Sequence, residues 1–92
     1  MMPLFAVICR DRPGHLQTRM DNRPAHLDYL QTTAARVRMA GPLIEEGEMR
    51  GSLIVIEADD PAVARAWADL DPYKAAGLFD SVEVIEWKKV IG

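Results

Sequence analysis

Residues 42–61, PLIEEGEMRGSLIVIEADDP, hold the pattern that decides the fold. PLIEE and GSLIVIEA are apolar runs of strand length, and GEMRG between them is a glycine-bounded turn of hairpin length. The residues that follow open a helix, because Asp60 is a good N-cap and Pro61 suits the first helical position. The stretch therefore predicts a β-hairpin that leads directly into a helix.

The chain after this stretch predicts one longer helix, one short helical turn and a final strand. DDPAVARAWADLD has apolar residues at helical spacing. DPYKAAG repeats the Asp-Pro opening at Asp71 and ends in glycine, which predicts a short second helical turn. LFDSVEVIEWKKVI has an apolar middle and a basic end, and it predicts a strand. The residues predicted to face inward from the longer helix are Ala62, Ala66, Trp67 and Leu70.

The chain before the hairpin predicts a strand and a helix. Residues 3–10, PLFAVICR, are apolar on both alternating faces, as in a strand that is covered on both sides. A polar connection follows, and the helix is predicted to start near Pro24 and to end before Gly41-Pro42. The residues predicted to form its buried stripe, at 3-4-3 spacing, are Leu27, Leu30, Ala34 and Val37.

The predicted order is βαββαβ, which is the ferredoxin-like α+β arrangement with a four-stranded antiparallel sheet. We expect one domain over residues 1–92, because a chain of this length has little room for a second. The first and third strands are the most apolar and are predicted to be central. The second and fourth are predicted to be edges because they carry charges, namely Glu45, Glu46, Glu83, Glu86, Lys88 and Lys89.

Two helices can cover only one face of this sheet, although its central strands are apolar on both faces. A monomer would expose a larger apolar patch than soluble monomers usually tolerate. We therefore predict a homodimer whose sheets pack face to face, a dimeric α+β barrel-like assembly. The alternating residues are Phe5, Val7 and Cys9 against Leu4, Ala6 and Ile8 in the first strand, and Ile54 and Ile56 against Leu53 and Val55 in the third.

Composition excludes several classes of function. The formal net charge is −3, the sequence pI is about 5.2 and the basic residues are scattered, so no nucleic-acid partner is expected. No apolar segment is long enough to predict a membrane span, and the N-terminal apolar run lacks signal-peptide features. The single cysteine, Cys9, cannot form an internal disulfide and is predicted to be a small buried hydrophobe. A cytoplasmic location fits these features.

His26 is the sharpest candidate for chemistry, since standard catalytic and metal motifs are missing from the sequence. It lies about 60° from the centre of the predicted stripe, at the edge of the buried face. It also falls in the predicted first helical turn, where the macrodipole favours a neutral imidazole. Such a histidine can be a general base at a pocket rim or a boundary residue with a local hydrogen bond. Asp71 can be its partner or only an N-cap. With His15 the only other histidine, no metal site is predicted.

Several segments together resemble the YciI-like (YCII-related) family: RPAHLDYL, AGPLIEEG, GSLIVIEADD, ADLDPYKAAGLFDSVEV and WKKV. The resemblance covers essentially the whole chain, in order. It implies a ferredoxin-like α+β fold, a dimer with a cleft near the sheet interface, and a His–Asp pair at the active site. His26 matches that histidine and Asp71 matches that aspartate. The resemblance also implies four substrate-binding residues, which are Arg23, Gly41, Ser52 and Tyr73.

From these residues we predict an enzyme without a cofactor that uses His26 for acid/base chemistry on a small organic molecule. Asp71 would orient the imidazole and stabilise its charged form. Elimination, isomerisation or hydrolysis are the expected reaction classes. A second hypothesis is a non-catalytic dimeric module that binds or senses a small ligand. A third, an oxygenase-type dimeric barrel, rests on shared architecture alone.

Overall fold

The strands and helices follow the predicted βαββαβ order, with the short helical turn as a third helix. The computed structural model describes residues 2–92; Met1, which the one-domain prediction includes, lies outside the described residues. The sheet has four antiparallel strands in the order β2-β3-β1-β4, so the predicted fold and its central strands are confirmed. The elements are β1 (Leu4–Asp11), α1 (Leu16–Thr32), β2 (Val37–Glu45), β3 (Glu48–Glu57), α2 (Pro61–Asp69), α3 (Pro72–Ala75) and β4 (Phe79–Trp87).

The β2–β3 turn is tighter than the sequence indicates. Glu45 pairs with Glu48, so only Glu46 and Gly47 form the loop, and both have positive φ, at 52° and 77°. Positive φ at both central positions is typical of the two-residue hairpin turn whose twist matches that of the strands. Because the turn is so short, β3 begins at Glu48 and not at Gly51.

The prediction for α1 was wrong at both ends. The helix begins at Leu16, so Pro24 lies inside it. Pro24 is exposed, and so is Met20, whose carbonyl cannot accept an N–H from Pro24. The helix ends at Thr32, and Val37 is the first residue of β2, paired with Ile56. Pro42, predicted to begin the strand PLIEE after the helix, instead lies within β2. An edge strand tolerates a residue without an N–H.

The inward faces of the helices also differ from the predicted ones. On α1 the buried residues are Arg19 and His26, whereas Leu27 is 44% exposed. Ala34 lies in the turn after the helix. On α2 only Trp67 of the predicted four is buried; Ala64 and Ala68 complete the face. The alanine-rich sequence of α2 offers two apolar stripes that share Trp67, and periodicity alone does not choose between them.

The main core lies between the helices and one face of the sheet. Cys9 is buried there, as predicted, and Tyr29 of α1 ties the two longer helices together by donating to the Trp67 carbonyl at 2.6 Å. No helix within residues 2–92 is long and apolar enough to cross a membrane. The buried apolar residues include Phe5, Val7, Cys9, Ile54, Ile56, Ala58, Ala64, Trp67, Ala68, Tyr73, Leu78 and Phe79.

Within residues 2–92, no helix covers the other face of the sheet, as predicted. The pairings place Ala6 beside Val55 and Ile85 on this face. We call the open face the group of apolar residues that point away from the helices. Its members are Leu4, Ala6, Ile8, Met39, Leu53, Val55, Ile85 and Trp87, and the exposed ones are Met39 at 52%, Leu53 at 39%, Ile85 at 47% and Trp87 at 37%.

Candidate active site

His26 projects from the middle of α1 towards the sheet and is 6% exposed. The sequence placed it in the first helical turn, and that placement was wrong because the helix begins at Leu16. The macrodipole argument for a neutral imidazole therefore does not apply, since the effect fades beyond the terminal turn. Arg19, Arg23 and His26 follow one another at spacings of four and three, so they share one helical face.

Asp71 is the partner of His26 and caps α3 at the same time. His26 Nδ1 lies 3.0 Å from both Asp71 carboxylate oxygens. Asp71 Oδ1 also accepts the Tyr73 backbone N–H at 2.9 Å, as the N-cap of α3. A carboxylate can only accept, so Nδ1 carries the proton and the lone pair of a neutral imidazole is at Nε2. Asp71 is therefore both the N-cap of α3 and the hydrogen-bond partner of His26.

Tyr73 holds the imidazole by stacking. The two ring centroids are 4.1 Å apart, with 15° between the planes. The Arg19 guanidinium carbon is 4.6 Å from the Tyr73 ring centroid. Because Arg19 and His26 are about two helical turns apart, roughly 10 Å along α1, the Tyr73 ring lies between them. Burial raises the pKa of the Tyr73 hydroxyl, and the charges of Arg19 and Arg23 oppose that rise.

Arg19 is the functional-site residue that the sequence prediction missed. Its Nε donates to Asp11 Oδ2 at 2.6 Å, and its Nη2 donates to Asp11 Oδ1 and to Ser52 Oγ, each at 2.9 Å. Burial would lower the pKa of Arg19, but the hydrogen bond and the charge of Asp11 outweigh burial and raise it. The signal was its position seven residues before His26, which is informative only once α1 is known to extend back to Leu16.

A cavity of about 110 Å³ lies between α1 and β2. The lone-pair edge of His26 faces it, because Nδ1 is turned to Asp71, which is not part of its lining. A Cβ on Gly41 would meet nothing within 4 Å, so the cavity does not require a glycine at this position. Gly41 lines the cavity with its backbone. The structure thus brings together all six residues named from the sequence, five on the wall and Asp71 behind His26. The lining is Arg19, Arg23, His26, Leu27, Leu30, Ala40, Gly41, Pro42, Ser52 and Tyr73.

A larger cleft of about 470 Å³ lies between the β1–α1 connection and the β2–β3 turn. Most of its lining residues are exposed, including the Arg10–Glu45 ion pair, whose side chains are 56% and 53% exposed. His15 lines it, with Nδ1 3.0 Å from the Pro13 carbonyl oxygen. Solvated side chains of this kind do not hold a reacting group in one geometry, so we place the candidate site in the smaller cavity. Within residues 2–92, no group of three or more His, Cys, Asp or Glu residues could hold a metal ion.

Comparison with known proteins gives consistent matches over nearly the whole chain. The model of the YCII-related domain matches residues 3–88. Protein YciI of Escherichia coli is 35% identical over 96 residues, covering 95% of this chain and 98% of that protein. The structure of 5-chloro-2-hydroxyhydroquinone dehydrochlorinase (TftG) from Burkholderia phenoliruptrix, in complex with 2,5-dihydroxybenzoquinone, has a TM-score of 0.87 and 37% identity, covering 92% of this chain and 93% of that one. A dimeric ferredoxin-like protein from Bacteroides fragilis, with a TM-score of 0.58, 15% identity and 96% coverage of both chains, shows the shared fold alone.

Proposed function

This chain belongs to the YCII-related domain family, and on that premise we propose that it is an enzyme in which His26, oriented by Asp71, moves a proton on a small organic molecule. One observation carries the proposal: a buried imidazole has one nitrogen 3.0 Å from both oxygens of a buried carboxylate and its other edge on a cavity. The similar Burkholderia protein is a small-molecule enzyme, a dehydrochlorinase, which supports catalysis on this fold.

In the proposed mechanism, Asp71 keeps the proton on Nδ1 and leaves Nε2 free to act as a base. Nε2 takes a proton from an O–H or an activated C–H of the ligand. The electron pair of the broken O–H or C–H bond forms a new π bond, and a leaving group such as chloride departs with the electron pair of its bond to carbon. The imidazolium that results is stabilised by the Asp71 carboxylate, which is 2% exposed. Stacking on Tyr73 keeps the imidazole in one orientation throughout.

The test is release of chloride from 5-chloro-2-hydroxyhydroquinone, with a reaction mixture lacking protein as the blank. We expect His26→Gln to lower kcat by at least about 100-fold, since a positioned general base contributes about 10²–10⁴. Asp71→Asn leaves the shape but allows the wrong tautomer, and we expect a loss of up to about 10⁴. His15→Gln is the matched control, because His15 lies in the other cleft, and it should retain the wild-type rate. Wild-type turnover by His26→Gln would refute the proposed base.

The competing hypothesis, a non-catalytic ligand-binding module, makes a different prediction for the same variants. It requires a ligand that binds to the wild type without being converted, and that still binds to His26→Gln. A screen that pairs binding by calorimetry with product analysis separates the two hypotheses. If any bound compound is converted by the wild type and not by His26→Gln, the enzyme hypothesis is favoured.

We further propose that the working form is a homodimer joined through the open face. The proposal is supported by four exposed apolar side chains on one surface of the sheet, those of Met39, Leu53, Ile85 and Trp87. A contiguous apolar patch of this kind is unfavourable in water and is typical of an interface. We expect analytical ultracentrifugation to give a dimer and Leu53→Glu to give a monomer. Leu70→Glu is the matched control, because Leu70 is 71% exposed, is the C-cap of α2 and is not part of the open face. A wild-type monomer at micromolar concentration would refute the dimer.

A further inference from the structure

A further cleft, separate from the cavity at His26, is lined by basic side chains. It has a volume of about 330 Å³ and lies where the β1–α1 connection, α2 and α3 meet the start of β4. Within residues 2–92, no residue lines both this cleft and the cavity at His26. Arg12, Arg65 and Lys74 line it, one from each of the three elements, and we call it the basic cleft. The formal net charge of the chain is −3, so three cations around one cleft are a local departure from an acidic average.

Backbone carbonyls hold both guanidinium groups of the basic cleft. Arg12 Nε donates to the Gly77 carbonyl at 3.2 Å, and the Arg12 backbone N–H donates to the Leu78 carbonyl at 2.8 Å. Arg65 Nη1 donates to the Val82 carbonyl at 3.2 Å. A guanidinium has five N–H donors, and each of these two uses one of them here. Both groups are therefore anchored at the wall of the cleft and keep donors for a ligand.

Carboxylates do not balance these two arginines. Among residues 2–92, neither Arg12 nor Arg65 forms an ion pair. Lys74 pairs with Asp69 at 2.6 Å, but both side chains are nearly half exposed, and such a pair contributes little. Asp80 is the one acidic residue that lines the cleft within residues 2–92. The lining therefore carries three positive charges and one negative charge, and it attracts anions.

The larger cleft near His15 has no such excess of positive charge. Its Arg10 pairs with Glu45 at 2.9 Å, and its Arg50 lies 3.5 Å from Glu48. Arg12 lines both clefts, whereas Arg65 lines the basic cleft and not the larger one. A substitution at Arg65 therefore reports on the basic cleft alone.

We propose that the basic cleft is a second binding site, which takes a small molecule carrying two linked phosphate groups. Guanidinium forks match phosphate oxygens, and Lys74 adds the point charge with which lysine binds phosphate. The two arginine-bound carbonyls belong to residues five positions apart, Gly77 and Val82, which an extended chain separates by at most about 18 Å. The guanidinium groups therefore lie apart along the cleft, and a ligand with two charged groups reaches both. This site is independent of the proposed function, because it uses neither His26 nor its cavity.

The test is a titration of isotope-labelled protein with inorganic pyrophosphate at low ionic strength, followed by NMR. We expect saturable shifts of the Arg12 and Arg65 Nε–H signals and of the backbone N–H signals of residues 77–82, with Kd below about 1 mM. Added salt should weaken binding, since the cations are exposed. Inorganic phosphate, which reaches only one arginine, should bind at least about fivefold more weakly than pyrophosphate.

Substitutions of opposite charge make the prediction sharp. Arg12→Gln and Arg65→Gln should each weaken pyrophosphate binding by at least about fivefold, whereas Asp80→Asn should strengthen it by about twofold or more, because a repelling charge is lost. Arg50→Gln removes the same positive charge at the larger cleft and should leave the affinity unchanged. His26→Gln should also bind pyrophosphate as the wild type does.

Each other result would overturn the second site. Absence of saturable binding, or equal affinity for phosphate and pyrophosphate, rules out a ligand that bridges the two arginines. A loss in Arg12→Gln without a loss in Arg65→Gln places the anion in the larger cleft, and a loss in His26→Gln places it in the cavity at His26. An Asp80→Asn variant that binds no more tightly shows that the charge of this cleft does not govern binding. Asp80 is exposed and forms no ion pair among residues 2–92, so this variant tests the charge without disturbing the fold.

Discussion

Replacing Arg19 by methionine tests the buried ion pair that underlies the candidate site. Arg19 and Asp11 have side chains that are 2% and 5% exposed, and two hydrogen bonds join them at 2.6 and 2.9 Å. Arg19→Met keeps an unbranched side chain but leaves the Asp11 carboxylate buried without its cation. It also removes the guanidinium from the Tyr73 ring and from Ser52.

The expected loss of stability is large for a chain of this size. Breaking a buried pair by removing one partner costs about 3–5 kcal/mol. A chain of 92 residues is stabilised by about 5–14 kcal/mol in total, at roughly 0.05–0.15 kcal/mol per residue. The substitution should therefore remove about a fifth or more of the free energy of unfolding and lower Tm by at least about 12 °C, at about 4 °C or more per kcal/mol.

Two further variants make this prediction sharp. Asp11→Leu combined with Arg19→Met removes both charges, and we expect it to recover most of the loss because no charge is left buried alone. Arg10→Met breaks the neighbouring Arg10–Glu45 pair, which has a similar 2.9 Å distance but exposed side chains, and should cost about 0–1 kcal/mol. Urea denaturation followed by circular dichroism gives all four free energies. The reasoning fails if Arg19→Met unfolds within about 1 kcal/mol of wild type, or if the double variant is no more stable than Arg19→Met.

Three further predictions concern the core and the caps. Burial, and secondly the charge of Asp71, raise the pKa of the Cys9 thiol from 9.0 to about 12. The unfolded thiol therefore ionises first, and the free energy of unfolding should fall between about pH 9 and 12 by up to about 1.4 kcal/mol per pH unit in wild type, with a shallower slope in Cys9→Ala. Gly51→Ala should lower the free energy of unfolding by about 1–3 kcal/mol. The added Cβ would press on the Cys9 carbonyl oxygen and lie 2.9 Å from Leu43 Cδ1. Gly41→Ala is the control, and it should leave the free energy of unfolding unchanged in the same urea titration. Asp71→Ala should lower the free energy of unfolding more than Asp60→Ala, which loses only a cap worth about 1 kcal/mol; equal losses would show that the His26 contact adds nothing.

The parts of the fold that follow local rules were predictable from the sequence. Apolar runs predicted the strands, and charged residues predicted which strands lie at the edges. Asp60 and Pro61 predicted the start of α2, where the Asp60 side chain accepts the Val63 N–H at 3.0 Å. The extent of α1 was not predictable in this way. Its inward face carries His26, which the apolar-stripe rule placed only at the edge of the buried face, and Arg19, which lies before the predicted helix start at Pro24.

The inward face of α1 is polar because its partners come from distant parts of the chain. Arg19 is satisfied by Asp11 and by Ser52, which is 33 positions away, and His26 is satisfied by Asp71, 45 positions away. A periodicity argument considers only the helix itself, so it cannot predict that these polar side chains are buried by distant partners. Residue type offered Asp71 either as the partner of His26 or as an N-cap, and the resemblance to the family favoured the pair. Arg19 was outside both lines of reasoning.

The two Asp-Pro helix starts show how far a local motif can carry a functional argument. Asp60 and Asp71 each precede proline, and each caps a helix with its side chain. They differ in what faces them: Asp60 is exposed, whereas α1 brings His26 against Asp71 and buries both. A cap uses only one lone pair of the carboxylate. The remaining lone pairs of the buried Asp71 carboxylate accept the Nδ1 proton of His26, and this contact fixes the imidazole tautomer. The same capping interaction therefore fixes the position of Asp71 on the short helix α3, and the long-range packing of α1 gives that position its candidate chemical role.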